Sequence, residues 1–479
     1  MDIKNKVKDI FCLHKYLFIV LIYFAFFYLT YVYWKSSNYL QPWLDYAYFD
    51  QFIWKYSQFK KPVATLWIPI NLLWQHLHLI LLWLAPFYWL TDSPNLLWTL
   101  DAIVIIASII PVYLIANKLI DNKLQSAIVA FLYWNSLWIQ FAIDFQFHEI
   151  TIFMWFFMWA YYFLLNKDWK IFYILMFLCL LCKENIWLYF TFFWIYVAVA
   201  HKEKKHWFII SILGTIWLFA ALKIFIPYFR WSSYIYFTFN AIWKNPSEFI
   251  VNSLTNPLII FTTLANPLRK LITLGVMFSS WLFLILVSPT LLLLTVPMIM
   301  ERFLNDQPHM WQLSQHYNVS IWLIITLWII YWLNKTKIIF KDNTKLITNT
   351  RYLILALLIF INIFFSFYLV TPYKKIFIQR SNLRTDAINR ISIENAIQKI
   401  PKNASLGWVS WLISHFSKRD IIQYLPKWIW EMDYLIINKN IKEIWPYKDL
   451  KEIEADILKI ENNYNKISDD WMTIIYKKR

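Results

Sequence analysis

Long apolar runs separated by short polar segments occupy most of the first 370 residues. A helix needs about 20 consecutive apolar residues to cross the hydrocarbon core of a bilayer. Pro289 and Pro297 interrupt one of these runs and leave it short. We therefore predict an all-α polytopic membrane protein with about eleven transmembrane helices, at 16–34, 95–117, 124–142, 149–166, 169–183, 186–200, 207–226, 271–287, 290–300, 317–334 and 351–370.

The last hundred or so residues follow a different pattern. Residues 371–479 contain 13 of the 29 Asp and Glu residues together with 19 Lys and Arg residues. Their short apolar segments have either the strand period or the helix period. We predict strands at Ser405–Val409 and Tyr434–Ile437 and helices at Glu394–Ile400 and Lys451–Ile460. The chain is thus predicted to consist of a transmembrane domain, 1–370, and a small C-terminal α/β domain, 371–479.

Lysines indicate the side of the membrane on which each short loop lies, because cytoplasmic loops carry an excess of Lys and Arg. The Lys-rich loops fall on one side if the apolar run His76–Leu90 lies on the outer surface as an amphipathic helix. The N-terminus is then cytoplasmic, and both the long first loop, 35–94, and the C-terminal domain are extracytoplasmic. We predict a multi-pass protein of the cell (inner) membrane. The Lys-rich loops are 117–123, 166–170, 201–206 and 334–351.

The composition excludes several classes of protein. Hydrophobic residues make up 60% of the chain and aromatic residues 21%, more than a soluble fold of this length can bury. The net charge of +17 does not indicate nucleic-acid binding, because lysines flank the apolar segments. With only 3 Gly and no phosphate-binding loop, nucleotide-driven chemistry is not expected. The three cysteines do not form a disulfide framework.

Two carboxylates follow the first predicted helix. Asp45 and Asp50 lie five residues apart among aromatic residues. Partial burial would raise their pKa values and suit one of them as a general base. Two ordinary acids in a solvated loop are the alternative interpretation.

Asp144 and His148 lie at the outer ends of two predicted helices. In a helical turn they would share one face, where they could bind a divalent cation such as Mg or Mn, or where the acid could orient the imidazole. Two ligands are too few to predict a metal site firmly. Helix capping is the alternative, and no certain cofactor is predicted.

Other polar residues occupy predicted outer loops. Lys183 and Glu184 separate two apolar helices, where they neutralise each other or where the lysine contacts a phosphate. His76 and His78 alternate along the surface helix, so their rings are not expected to share one of its faces. Arg302 suits an anionic headgroup or a pyrophosphate. The predicted substrate-binding residues are His76, His78, Asp144, His148, Lys183, Glu184, Arg302 and His316.

Several short motifs occur in a fixed order along the chain. They are Asp45-x4-Asp50-Gln51-x2-Trp54, His78-x7-Pro86-Phe-Tyr, Pro111-Val-Tyr113, Asp144-x3-His148, Lys183-Glu184, Pro297, His316-Tyr317 and Ile400-Pro-x-Asn-Ala-Ser405. Their order and spacing resemble those of a bacterial and archaeal family of uncharacterised multispanning membrane proteins. That family resembles in turn the GT-C clan of glycosyltransferases.

The resemblance implies transfer of a sugar from a polyprenyl-phosphate donor to an unknown acceptor at the outer face of the membrane. It implies that an acid of the first outer loop is the catalytic base. One departure is Gln58-Phe59-Lys60, which stands where the family usually has a glycine. The roles implied are the base for Asp45, ranked before Asp50, the walls of the cavity for Asp144 and His148, and contact with the donor phosphate for Lys183 and Arg302.

Two other functions fit the same chain. A lipid or lipid-linked sugar transporter (a flippase) would need polar groups at mid-membrane depth, for which Asp101 and Lys223 are the candidates. A non-catalytic membrane scaffold would display the C-terminal domain and tolerate loss of the outer acids. The glycosyltransferase is the favoured hypothesis, with membrane lipids and a lipid-linked sugar as partners and no nucleic acid.

Overall fold

Helices dominate the protein in a computed structural model. The structure describes residues 14–38, 44–145, 147–230, 248, 251–252, 255–278, 288–313, 316–341, 343–369, 372, 375, 383–409, 411–424, 431–439, 450–470 and 473–479. The α-helices of its first half are α1 Lys15–Ser37, α2 Leu44–Ser57, α3 Leu72–Gln75, α4 Leu96–Ala107, α5 Ile109–Ile120, α6 Lys123–Asn135, α7 Leu137–Phe145, α8 Glu149–Asn166, α9 Trp169–Leu180, α10 Ile186–Ala200, α11 Lys204–Ala220 and α12 Ile226–Arg230.

The second half of the chain continues with shorter helices and two long ones. They are α13 Leu258–Ala265, α14 Leu268–Phe278, α15 Leu292–Phe303, α16 Pro308–Trp311, α17 Val319–Ile339, α18 Thr344–Tyr368, α19 Leu383–Gln398 and α20 Leu450–Glu461. Short 3-10 helices occur at Leu79–Trp89, Pro289–Leu291, His316–Asn318 and Trp411–Phe416, and a π-helical turn at Ala221–Phe225 joins α11 to α12. The strands are β1 Val63–Ala64, β2 Ile70–Asn71, β3 Leu406–Val409, β4 Ile422–Tyr424, β5 Tyr434–Asn438, β6 Tyr464–Asp469 and β7 Thr473–Lys478.

Several of the described helices are long and apolar enough to cross a membrane. Five meet this condition, or six if the bent pair α6 and α7 forms one span. Each of the eleven predicted runs contains a described helix, although residues 279–287 of one run lie outside the described residues. Eleven crossings are therefore not confirmed. The five candidate spans are Lys15–Ser37, Leu96–Ile120, Ser211–Phe229, His316–Ile339 and Thr344–Tyr368.

The chain divides into two compact units. Unit 1 comprises residues 1–29, 75–79 and 101–375, and unit 2 comprises residues 30–74, 80–100 and 376–479. Compactness does not say which side of a membrane a residue faces. The predicted transmembrane domain, 1–370, and the predicted extracytoplasmic domain, 371–479, therefore stay predictions.

Helix α17 lies in the core of unit 1. Nearly all of its residues are buried, including Trp322 and Trp328, as expected for a helix that is apolar on every face. The indole Nε1 of Trp322 donates to the carbonyl oxygen of Tyr133 at 2.9 Å. Near its C-terminal end, the buried Arg351 donates from Nε to the carbonyl oxygen of Leu333 at 2.9 Å. Such bonds satisfy polar atoms that the apolar surroundings would otherwise leave unpaired.

Unit 2 contains a five-stranded sheet with the order β4-β3-β5-β7-β6. Strand β3 is parallel to β4 and β5, whereas β7 is antiparallel to β5 and β6. The predicted strands in residues 405–409 and 434–437 and the predicted helix at 451–460 are confirmed by β3, β5 and α20. The C-terminal residues thus form a small α/β sheet region.

Residues of the first predicted loop share the core of that sheet region. Ala47 of α2, Ala64 of β1 and Leu66 pack in one buried cluster with Leu406 and Ile436 of the sheet. The backbone N–H of Tyr424 donates to the carbonyl oxygen of Leu66 at 2.6 Å. The loop that follows the first span is therefore part of the same compact unit as the C-terminal residues.

The predicted surface helix His76–Leu90 is present only in part and in another form. The structure has a 3-10 helix over Leu79–Trp89, preceded by irregular backbone at His76, Leu77 and His78. Pro86 lies inside this helix. Proline lacks the N–H that a regular α-helix requires, which is consistent with the tighter 3-10 form.

Candidate functional site

A buried glutamate connects several of the predicted site residues in unit 1. Glu149, the first residue of α8, is only 1% exposed. Its Oε1 accepts from Lys183 Nζ at 3.0 Å, and its Oε2 lies 3.5 Å from Nδ1 of both His78 and His148. We call these four residues the Glu149 cluster. A buried carboxylate with three such neighbours holds a lysine and two imidazoles in one place.

The local sequence explains the position of Glu149. His148 has an extended backbone and is the N-cap residue of α8. An acid in the first turn of a helix is stabilised by the partial positive charge of the helix N-terminus. An acid at the start of the predicted helix 149–166 is a signal for this position, but Glu149 was not among the predicted substrate-binding residues.

Lys183 and Glu184 each form their ion pair with another residue. Lys183 contacts Glu149, whereas Glu184 Oε1 lies 2.6 Å from Nδ1 of His76. The backbone N–H of Leu77 donates to Glu184 Oε2 at 3.0 Å. Burial by itself raises the pKa of Glu184, but His76 and Lys183 outweigh it and hold that pKa well below its usual range. Glu184 is therefore ionised at neutral pH and orders the segment that carries both histidines.

His76 and His78 are closer than the predicted helix would allow. Because their segment is irregular, the two rings meet edge to face with their centroids 5.2 Å apart. The expectation that the two rings cannot share a face fails because it assumed a helix. His78 is fully buried, and desolvation lowers its pKa to about 3 against the opposing effect of Glu149. It is thus a neutral imidazole at physiological pH.

A second set of aromatic and basic side chains contacts the Glu149 cluster. The rings of His148 and His316 are stacked with centroids 3.5 Å apart, and the ring of Tyr317 lies 4.0 Å from that of His316. The Arg302 guanidinium lies over Tyr317, at 5.8 Å from the ring centroid. His316 interacts electrostatically with both Lys183 and Arg302. Seven predicted residues therefore belong to one connected region of unit 1: His76, His78, His148, Lys183, Glu184, Arg302 and His316.

Arg302 is the least satisfied cation of this region. It is only 3% exposed, and its Nη2 donates to Ser320 Oγ at 2.8 Å. Within the part of the chain that the structure describes, its Nε and Nη1 have no hydrogen-bond partner. A buried guanidinium with open donors is costly unless an anion completes its bonds. The arrangement can therefore bind an oxyanion such as a phosphate.

Glu301, the acid beside Arg302, forms hydrogen bonds with other side chains. Glu301 accepts hydrogen bonds from Asn185 Nδ2 at 2.5 Å and from the hydroxyl of Tyr189. Tyr189 also interacts electrostatically with Arg302. Glu301 and Tyr189 are absent from the predicted substrate-binding residues, and Tyr189 lies inside an apolar run.

Asp144 and His148 do not share a helix face. Helix α7 ends at Phe145, and His148 is the N-cap residue of α8, so the two residues belong to different helices. Asp144 instead forms an ion pair with Lys375. Among the described residues, no group of three or more His, Cys, Asp or Glu side chains could hold a metal ion.

The two first-loop acids differ in their surroundings within unit 2. Asp45 lies in the first turn of α2 and is exposed, whereas Asp50 is completely buried. Asp50 Oδ1 accepts from the Tyr88 hydroxyl and Oδ2 from Ser417 Oγ, each at 2.6 Å. Desolvation raises the pKa of Asp50, and Lys418 and these two hydrogen bonds offset only part of that effect. Asp45 is thus open to solvent, and Asp50 is held inside the fold.

Comparison with known proteins adds a family but no characterised relative. No curated protein matches the chain. The family described as "Predicted membrane protein (DUF2079)" matches residues 37–470, which include most of both units and almost all of the described helices. With its apolar helices and this match over most of its length, the chain belongs to that family of membrane proteins.

Proposed function

We propose that this protein is a membrane glycosyltransferase that moves a sugar from a polyprenyl-phosphate donor to an acceptor on the outer face of the cell membrane. The observation that supports it most is Arg302, a buried guanidinium with two open nitrogens in the described part of the chain. A guanidinium fork matches the oxygens of a phosphate in shape and charge. A buried cation is also a sign of function in a membrane protein.

The leaving group in this proposal is the lipid phosphate. Lys183 and Arg302 both act electrostatically on His316, so their two positive charges belong to one region of unit 1. Cations fixed in a water-poor region stabilise charge that develops as a bond breaks. Glu149 and Glu184 hold Lys183 and His76 in place, and His78, His148 and His316 are proposed to contact the substrate.

The catalytic base in this proposal is Asp45, as the resemblance to the GT-C clan implies. The acceptor hydroxyl oxygen bonds to the anomeric carbon of the sugar, its proton passes to the Asp45 carboxylate, and the bond between that carbon and the phosphate oxygen breaks. Asp45 is exposed, whereas Asp50 is completely buried. A base must reach the proton that it removes, which favours Asp45 over Asp50.

The proposal includes a GT-C-like arrangement of about eleven spans, with the N-terminus in the cytoplasm and the C-terminal domain outside. Asp144 is proposed to line the cavity, with its charge met by Lys375. Asp144 and His148, the predicted ligands of a divalent cation such as Mg or Mn, lie on different helices, and Asp144 pairs with Lys375. No step of the proposal therefore passes through a metal ion.

Transport of a lipid-linked sugar is the second candidate function. One observation favours it: Asp101 lies in the candidate span Leu96–Ile120 and is 1% exposed, and its Oδ2 has no hydrogen-bond partner in the described part of the chain. Its Oδ1 accepts from Thr151 Oγ1 at 2.5 Å. An ionisable group inside a span often marks a pathway. A non-catalytic scaffold remains the third candidate.

A transfer assay separates these candidates. Membranes that contain the wild type, Asp45→Asn or the matched Asp50→Asn would receive radiolabelled polyprenyl-phosphate sugars. We expect label in a new product with the wild type and with Asp50→Asn, and a loss of at least about 100-fold with Asp45→Asn. Movement of the donor between leaflets without sugar transfer would contradict the enzyme and favour the transporter. Neither transfer nor donor binding would favour the scaffold.

A further inference from the structure

The 3-10 helix at Leu79–Trp89 has two apolar faces, of which only one is covered. Leu81, Ala85 and Tyr88 are buried in unit 2. Trp83 and Trp89 are about 60% exposed, and Phe87 and Leu90 are exposed as well. The 89%-exposed Phe59 adjoins them, with its ring centroid 6.1 Å from that of Trp89. We call Phe59, Trp83, Phe87, Trp89 and Leu90 the aromatic patch.

The chemistry of the aromatic patch suits a bilayer interface. An exposed apolar surface of this kind marks an interaction site, and tryptophan is enriched where membrane and water meet. Two lysines directly follow Phe59: Lys60, which pairs with Asp420 at 2.5 Å, and the exposed Lys61. Lysines beside inserted aromatic residues are attracted to anionic lipid headgroups.

The chain itself places the aromatic patch near a membrane. Leu90 is followed, six residues later, by the candidate span that starts at Leu96. Even a fully extended chain of six residues reaches only about 20 Å. Within unit 2, Ser36 at the end of α1 donates a hydrogen bond to Asn95, and Lys35 lies over the ring of Trp98 at 5.5 Å. The two spans that flank the first loop therefore contact each other where the loop begins and ends. The second span starts six residues after the aromatic patch.

We propose that the aromatic patch inserts into the headgroup region of the bilayer and holds unit 2 at the membrane surface. The partner is the lipid itself, with anionic headgroups near Lys60 and Lys61. This contact also has a consequence inside the fold. Tyr88 projects from the opposite face of the same helix and donates to Asp50, so the lipid-bound helix also supports the buried carboxylate. The inference does not depend on sugar transfer.

Depth-dependent quenching tests this proposal on the full chain. Single cysteines at Trp83, Trp89 and Asn462, in a background with Cys12, Cys179 and Cys182 changed to Ala, would carry an environment-sensitive fluorophore. Asn462 lies in an exposed polar turn after α20 and is the control. In vesicles of phosphatidylcholine and phosphatidylglycerol with brominated acyl chains, we expect about twofold or greater quenching at positions 83 and 89 relative to 462.

Equal quenching at all three positions would overturn the proposal. Energy transfer between labelled copies without quenching by the bromines would also overturn it and assign the patch to a contact between two copies. A second measurement needs no substitution: a lipid that carries a photoactivated carbene would label the wild-type chain. Labels at residues 59 and 83–90 are expected, and their absence there alongside labels in the candidate spans would contradict the proposal.

Discussion

The carboxylate of Glu149 is the group that Lys183, His78 and His148 share in the Glu149 cluster. Removing its charge leaves the buried Lys183 without its ion-pair partner. Because an unpaired buried charge is costly, we expect Glu149→Gln to lower the free energy of unfolding by about 3–5 kcal/mol. Changing Lys183 to Met in the same chain should restore much of this loss. Thermal unfolding in detergent measures both effects.

The exposed pair of Lys167 and Glu203 is the matched control for this prediction. Its two charges are 3.0 Å apart, but the lysine is largely in solvent. Surface pairs contribute only about 0–1 kcal/mol, so Glu203→Gln should change stability little. Equal losses of unfolding free energy from Glu149→Gln and Glu203→Gln would show that the Glu149 cluster stabilises the fold no more than a surface ion pair.

Asp50 predicts a pH dependence with a definite sign. Burial raises its pKa above the ordinary value of 3.8, so the folded state binds the proton more tightly than the unfolded state. The contribution of Asp50 to stability is then full below pH 3.8 and is lost as pH rises through its raised pKa. Asp50→Asn should remove this part of the slope. Unfolding of both proteins measured between about pH 4 and about pH 7 tests it, and identical slopes would contradict it.

Individual site residues were predictable where the side chain is ionisable, because burying such a group in a membrane costs free energy. His78, His148, Lys183, Arg302 and His316 were selected for that reason, and the structure brings them into one region. Their pairing was not predictable, because a pair depends on distances between elements far apart in the chain. Lys183 thus pairs with Glu149 and not with the neighbouring Glu184.

Helices α17 and α18 are both apolar and similar in length, but their side chains differ in burial. Leu327 in α17 is fully buried, whereas Leu357 in α18 is half exposed. Leu327→Ala should leave a cavity and cost about 2–5 kcal/mol. Leu357→Ala, the same change at an exposed position, should cost less than about 1 kcal/mol. Unfolding in detergent measures the difference, and equal costs would contradict the central position of α17.

The periodicity of the sequence predicted individual helices and strands, but it did not predict which elements pack against each other. The short apolar runs at 405–409 and 434–437 are strands of the sheet, and each long apolar run contains a helix. No local pattern indicated that Ala47 and Leu66 of the first loop pack against Leu406, since such packing joins residues more than 300 positions apart. The 3-10 form of residues 79–89 was likewise missed, because the whole apolar run 76–90 was predicted as one amphipathic helix.

The orientation of the whole molecule gives a further prediction. The Lys-rich loops predict that residue 123 faces the cytoplasm and that the C-terminal sheet region lies outside. A membrane-impermeant maleimide should label Asn462→Cys in intact cells stripped of their outer layers. It should label Lys123→Cys only after permeabilisation. The reverse pattern would invert the proposed topology and place the proposed site on the cytoplasmic side.

The central claim at the scale of the molecule is that a buried cation receives the phosphate of a membrane lipid. Arg302 and Arg351 are both buried. However, Arg351 donates from Nε and Nη1 to Leu333, Thr336, Ile120 and Gln125, whereas two nitrogens of Arg302 have no partner in the described residues. Arg351→Gln should therefore affect stability, and Arg302→Gln should affect ligand binding.

The most direct test is the equilibrium binding of a short-chain polyprenyl phosphate to purified, folded protein. Loss of a charged hydrogen bond of about 1.5–3 kcal/mol predicts that Arg302→Gln raises the Kd about tenfold or more. Arg351→Gln should leave the Kd of the folded fraction unchanged. An unaltered Kd in Arg302→Gln, or no binding by the wild type, would contradict the assignment of this site to a lipid phosphate.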